Sequence, residues 1–202
     1  MSLTRKAYLL TTNEQSESTQ FAANILKKIG FTVIFVQATP NKNPVVSNKI
    51  SMMKIYKTIA LGDDEYAYVF EDDIDIHEPI TLEQIVAYEK ISPVFFYLGV
   101  CIPRGRSTLK FKGNVIDNYK VWTISGNVRG LHAIGLSKSG SSLLYGFSKH
   151  VSKGMKYMDV ILESFSRIHR ANILRYDWEN SKIKGHRGLF YQARDKFPTT
   201  IK

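Results

Sequence analysis

The sequence predicts an α/β protein, a single domain with a mainly parallel central sheet flanked by helices. Three observations predict it. Short β-branched and aromatic runs alternate along the chain with longer stretches of helical period. The 202 residues suit one domain of ordinary size. The composition, 44% hydrophobic and 23% charged, matches a packed core rather than disorder.

The elements follow in order. "KAYLLTT" (6–12) reads as a first strand. "STQFAANILKKIG" (18–30) reads as a helix, with Ser18 as N-cap, Phe21, Ile25 and Ile29 on one face, and Gly30 as the stop. "FTVIFVQ" (31–37) is a second buried strand. A loop leads to a helix over 46–61, and "YAYVFE" (66–71) is a third strand. Thr81 caps a helix over 81–90, and "VFFYLGV" (94–100) is a fourth strand. Residues 101–130, with Gly105, Gly113, Gly126 and Gly130, read as irregular. A strand at 131–137 precedes helices over about 139–147 and 156–169, and "NILRY" is a last short strand.

The formal net charge of +10 admits three partners: nucleic acid, an anionic membrane surface, or an anionic small substrate. The charge is spread along the chain with no compact basic block and no nucleic-acid motif, so specific nucleic-acid binding is not expected. The one cysteine, Cys101, rules out an internal disulfide framework and reads as a structural thiol. The sequence shows no signal peptide and no run of about 18 apolar residues. The expected location is therefore cytoplasmic, with peripheral membrane contact compatible with the charge.

One stretch carries chemistry. In "YAYVFEDDIDIH" (66–77) an apolar strand ends in Glu71, Asp72 and Asp73, with Asp75 two residues on. Like charges this close repel. In parallel α/β sheets ligands gather beyond the carboxyl ends of the strands. Carboxylates there suit Mg²⁺ or Mn²⁺, which would offset the repulsion and bridge to phosphates. The competing reading is that these acids cap the next helix or form surface ion pairs. The metal reading centres on Asp72 and Asp73, with Asp75 secondary. Alternation along the strand turns Glu71 away from Asp72 and makes it an orienting residue.

The pattern resembles that of family 25 glycosyltransferases, which include lipooligosaccharide and collagen galactosyltransferases. Their strand ending in Glu-Asp-Asp is similar to "YVFEDDI". Twenty residues upstream the family has Ser-His opening a helix, with an aromatic four after the His. Here Ser51 and Tyr56 match, and Met52 replaces the His. "FFYLG" (95–99), "GLHAIGLSKSGSSLL" (130–144) and "MKYMDVILESF" (155–165) resemble later family segments in order and spacing, and the tail "GLFYQARDKFP" extends the likeness.

The resemblance implies a GT-A fold, with a Rossmann-like nucleotide-binding part over about 1–100 and an acceptor-binding part over about 101–202. It implies inverting transfer of galactose or glucose from a UDP-sugar to a glycan or protein hydroxyl, with Mn²⁺ or Mg²⁺ at the acidic motif. Thr11, Thr12 and Asn13 fall where such enzymes seat the nucleotide base, and Ser51 falls on the matched helix start. Asp159 matches the family's helix acid and is the candidate base, with Glu163 one turn later as the alternative. His132 reads either as a metal or phosphate contact or as a structural hydrogen-bonding residue. In "KIKGHRGLFYQ", His186 is a candidate metal ligand, and Lys184 and Arg187 are candidate phosphate contacts. Two other functions stay open: a sugar-nucleotide-binding protein impaired in catalysis through Met52, and a metal-using nucleic-acid-binding α/β protein.

Overall fold

The computed structural model describes residues 3–91, 94–101, 107–116, 119–126, 129–155, 157–169, 172–175 and 186–197. Eleven strands and five helices are assigned among them. In the first half these are β1 (Lys6–Thr11), α1 (Glu17–Ile29), β2 (Thr32–Gln37), α2 (Pro44–Leu61), β3 (Tyr66–Glu71), β4 (Ile74–Ile76), α3 (Leu82–Val86) and β5 (Phe95–Cys101). There follow β6 (Ser107–Ile116), β7 (Tyr119–Gly126), β8 (Arg129–Ser137), α4 (Lys138–Val151), α5 (Met158–His169), β9 (Asn172–Arg175), β10 (His186–Gly188) and β11 (Phe190–Gln192).

The main sheet runs β2-β1-β3-β8-β5-β9-β7-β6, with β10 also on β5, and β4 and β11 form a separate small pair. Strands β1, β2 and β3 pair in parallel, as do β5 and β9. Strand β8 runs the other way between β3 and β5. The expected α/β architecture with its mainly parallel centre is therefore what the chain adopts. The inserted β8 comes from the second half of the chain, so both halves share one sheet.

Strict alternation builds two cores. On β1, Ala7 and Leu9 face α1 and α3, while Tyr8 and Leu10 face α2, α4 and α5. On β3, Tyr68 and Phe70 join the first core, and Ala67 and Val69 the second. Both faces are covered at β1, β3 and β5, which explains why these strands read as continuous apolar runs, whereas β2, expected to be buried, is the edge strand and is only half-buried.

The departures from the sequence reading are local. Helix α1 is capped by Ser16 rather than Ser18, since the Ser16 side chain accepts from Thr19 N. Gly30 ends that helix at φ 112°, a left-handed geometry that glycine adopts without strain. Thr81 does cap α3, in a capping box with Gln84, but α3 is only five residues long. The stretch read as irregular holds the hairpin β6–β7. Its register shifts between Phe111 and Val115, across Gly113, so the glycine marks a bulge and not a break.

Candidate functional site

Strand β3 decides where the acids go. Glu71 continues the parity of Ala67 and Val69 towards α2, and its Oε1 accepts from Asn48 Nδ2 at 3.4 Å. Asp72 takes the opposite side, where its Oδ2 accepts from Thr19 Oγ1 of α1 at 3.3 Å. A turn at 72–73 then ends the strand before β4 begins. The element after Asp73 is a strand, so the helix-cap reading of the acidic run does not apply.

Glu71 and Asp73 share one hydrogen-bond donor, while Asp72 acts on Asp73 through its charge. Gln192 Nε2 donates to Glu71 Oε2 at 3.1 Å and to Asp73 Oδ2 at 3.4 Å. Cys101 Sγ donates to Gln192 Oε1 at 3.6 Å, which turns the amide so that its NH₂ faces the carboxylates. Burial raises the Glu71 carboxyl to about 8, and the neighbouring Asp73 and Asp72 push the same way. Burial and Asp72 raise Asp73 to about 6, against the pull of Arg194. Burial also raises the Cys101 thiol to about 12, so it acts as a hydrogen-bond donor and not as a nucleophile.

Both shifts make a stability prediction. Each carboxyl binds its proton more tightly folded than unfolded, so stability is full below the unfolded pKa and is lost as pH rises through the folded one. The chelator-treated protein is expected to melt at progressively lower temperature from about pH 5 to about pH 8. Glu71→Gln should flatten the upper part of that fall. A Glu71→Gln profile parallel to the parent's would show that Glu71 is not carrying the raised proton affinity.

Asp75 leaves this group altogether. It sits on β4, opposite Tyr191 of β11. Its Oδ2 accepts from Tyr191 Oη and from Lys196 Nζ, each at 2.8 Å. Burial works to raise it, but Lys196, Tyr191 and the Ile76 amide outweigh that and hold it below the usual carboxylate range. Asp75 is thus held in an ion pair and is not among the residues lining the cavity that the other three acids share. The break of the strand at 72–73 is the cause.

Glu71, Asp72 and Asp73 line a cavity of about 610 Å³ at the carboxyl ends of β1, β3 and β5. Thr11, Thr12 and Asp159 line it too, so these expected residues are brought together. Asn13 lies in the turn beyond β1, where its side chain accepts from Gln15 N. Ser51 is buried under the 38–40 loop; it accepts from Thr39 N and donates to Ser47 O. Met52 and Tyr56 are fully buried in the core behind the cavity. Glu163 is buried on α5 and paired with Arg167 at 3.6 Å, outside the cavity wall. His132 is fully buried, its Nε2 3.3 Å from Phe190 O, in a space that any Cβ at Gly99 would fill. Lys184 lies outside the described residues. His186 and Arg187 are on β10, antiparallel to Cys101 and Val100 of β5.

The sequence reading passed over Gln192 and Arg194, which also line the cavity. The segment that carries them is pinned to the body. Its Phe197 ring lies 5.5 Å from Phe21 of α1, and Lys196 Nζ lies 4.8 Å from the Phe21 ring centre.

The residues present suit a hard divalent cation on two counts. Asp73 Oδ1 is buried with no hydrogen-bond partner among the described residues. Two carboxylates, Glu71 and Asp73, also meet at one side-chain amide, and a divalent cation that takes one or two protein carboxylates matches that donor set. Among the described residues no group of three His, Cys, Asp or Glu side chains is arranged to hold a metal ion, and the side chain of His186 lies outside them.

The fold has known relatives in structure. It resembles a UDP-glucose pyrophosphorylase. That structure, in complex with UDP-glucose, matches at a TM-score of 0.52 and 9% identity over 85% of this chain and 90% of its own. A putative glucose-1-phosphate thymidylyltransferase from Bacillus anthracis matches at 0.48 and 8% identity, over 84% and 85%. The CTP:phosphocholine cytidylyltransferase of Streptococcus pneumoniae matches at 0.46 and 10%, over 94% and 92%. These three are nucleotidyltransferases, not family 25 glycosyltransferases, and the likeness is one of fold. No family model matches the chain, and no curated protein matches it in sequence. No helix among the described residues is long and apolar enough to cross a membrane.

Proposed function

We propose that this chain is a glycosyltransferase that moves a hexose, galactose or glucose, from a UDP-sugar to a hydroxyl of a glycan or protein. The observation that carries the reading is the acidic end of β3 opening into one cavity with Asp159 and Arg194. In this reading Thr11 and Thr12, at the end of β1, seat the nucleotide. Glu71 and Asp73 hold Mn²⁺ or Mg²⁺, with Asp72 beside them. The bound ion would supply Lewis-acid stabilisation of the leaving diphosphate. Arg194 adds positive charge to the same diphosphate. Asp159 takes the proton of the acceptor hydroxyl as that oxygen bonds to the anomeric carbon from the face opposite the departing UDP. The nucleotide-binding part is the first half of the chain and the acceptor part the second, with β8 joining them.

The solved neighbours favour a second reading, nucleotidyl transfer. That chemistry must hold a triphosphate, for which glycine-rich backbone or a basic residue at a helix N-terminus is the usual device. Here the turn from Thr12 to Ser16 has neither glycine nor lysine nor arginine, and Glu14 and Glu17 flank it with negative charge. A diphosphate donor resting on a cation fits this turn better than a triphosphate.

One assay separates the readings. UDP-galactose and UDP-glucose are incubated with the protein and Mn²⁺, and UDP release is followed. A parallel reaction supplies pyrophosphate and follows UTP. We expect UDP without UTP. Appearance of UTP would replace the proposal with nucleotidyl transfer. In the same samples UDP plus Mn²⁺ should raise the melting temperature more than UDP alone. Ligand at about 100 times its Kd stabilises by about 2.7 kcal/mol. A shift with no UDP release would mark a binding protein that has lost catalysis.

A further inference from the structure

Ligand cavities are lined largely by apolar and aromatic side chains, so an exposed ring on the wall of this one is a candidate ligand contact. Among the described residues the exposed large hydrophobics are Leu3, Leu61, Leu143, Tyr157 and Ile168, and of these only Tyr157, at 53% exposure, lines the cavity. It stands immediately before α5, two residues from Asp159. Its position is fixed from both sides. Its carbonyl accepts from Ile161 N in the first turn of the helix. The preceding turn is clamped by Lys49 of α2, whose Nζ donates to Ser152 O and Met155 O at 3.1 and 3.3 Å. Helix α5 also packs on β8, across the acids from Thr11 and Thr12 on β1.

From this placement we propose that Tyr157 is the platform on which the acceptor sugar ring stacks, setting its hydroxyl beside Asp159; this deepens the glycosyl-transfer reading and rests on it. The physics is direct. The face of an aromatic ring is negative, and the C–H groups on the apolar face of a pyranose are slightly positive, so the two attract while the sugar hydroxyls stay free. A tyrosine has only two side-chain torsions to order on binding, which makes it an economical anchor. Pro44, Val45 and Phe197 line the same cavity and add apolar surface to it.

The test measures acceptor binding without turnover. Saturation-transfer NMR is recorded on a panel of methyl glycosides of galactose, glucose, mannose and N-acetylglucosamine, with UDP and Mn²⁺ present. The expected result is transfer to the apolar-face protons of at least one glycoside, an affinity roughly three- to tenfold weaker in Tyr157→Ala, and near-parental affinity in Tyr157→Phe. The melting shift given by UDP plus Mn²⁺ should be the same in all three proteins. Unchanged glycoside affinity in Tyr157→Ala overturns the proposal, as does binding of no glycoside by a parent that still responds to UDP. Absence of the UDP response itself strikes the glycosyl-transfer reading, and the platform falls with it.

Discussion

Asp73→Asn is expected to abolish the Mn²⁺-dependent part of UDP binding while leaving the metal-free protein as stable as before, or slightly more so. The substitution keeps the shape of the side chain and an oxygen able to accept from Gln192 Nε2, so the fold loses little. What it removes is one negative charge from a buried cluster in which burial and Asp72 already hold that carboxyl up to about 6. Above that pH the charge costs stability, and its loss is neutral or favourable. A cation loses a ligand whose second oxygen is buried without a partner among the described residues. The measurement is the UDP-induced melting shift at pH 8, with Mn²⁺ and with chelator. A structural ion-pair role would give the opposite pattern, lower stability with the Mn²⁺ effect intact. Full Mn²⁺-dependent binding in Asp73→Asn would move the site to Glu71 and Asp72.

Much of this arrangement was legible in the chain. The strand 66–71 has the same limits in the structure as in the apolar run, because a buried parallel strand bounded by a turn leaves both a composition and a length signal. The alternation that separates Glu71 from Asp72 was legible too, but its consequence was not. Which acid then shares a donor with Asp73 depends on the turn at 72–73 and on Gln192, 119 residues later. Asp75 could not be placed for the same reason, since Lys196 and Tyr191 reach it across the β4–β11 pair. Gln192 and Arg194 fall in a tail segment whose family likeness names no role for them, and the pairing of β11 with β4, the bond from Ala193 N to Asp73 O and the docking of Phe197 and Lys196 on Phe21 bring them over the sheet. Ser51 shows the converse case. A residue that matches a family pattern in register spends both hydrogen-bonding capacities on the backbone of its own helix and the loop above it.

Asp159→Asn is expected to leave UDP and Mn²⁺ binding nearly intact and to lower transfer to the acceptor by roughly a hundredfold or more. The carboxylate lines the cavity from the first turn of α5, and its Oδ1 accepts from Val160 N at 2.9 Å. A negative group is favoured at that end of a helix, so the carboxylate suits its place there. An amide there preserves size and the hydrogen bond from Val160 but has no basic oxygen, so donor affinity and proton removal separate cleanly. Glu163 supplies the control. It is 4% exposed and paired with Arg167 beneath the helix, away from the cavity wall. Glu163→Gln should therefore lower the melting temperature and leave the rate per folded molecule unchanged. The informative readout is kcat for transfer beside the UDP melting shift for both variants. If Glu163→Gln abolishes transfer and Asp159→Asn does not, the base is the wrong residue and α5 must turn relative to the sheet during the reaction. If neither does, Asp72, which shares the cavity from the α1 side, is the carboxylate left to take the proton.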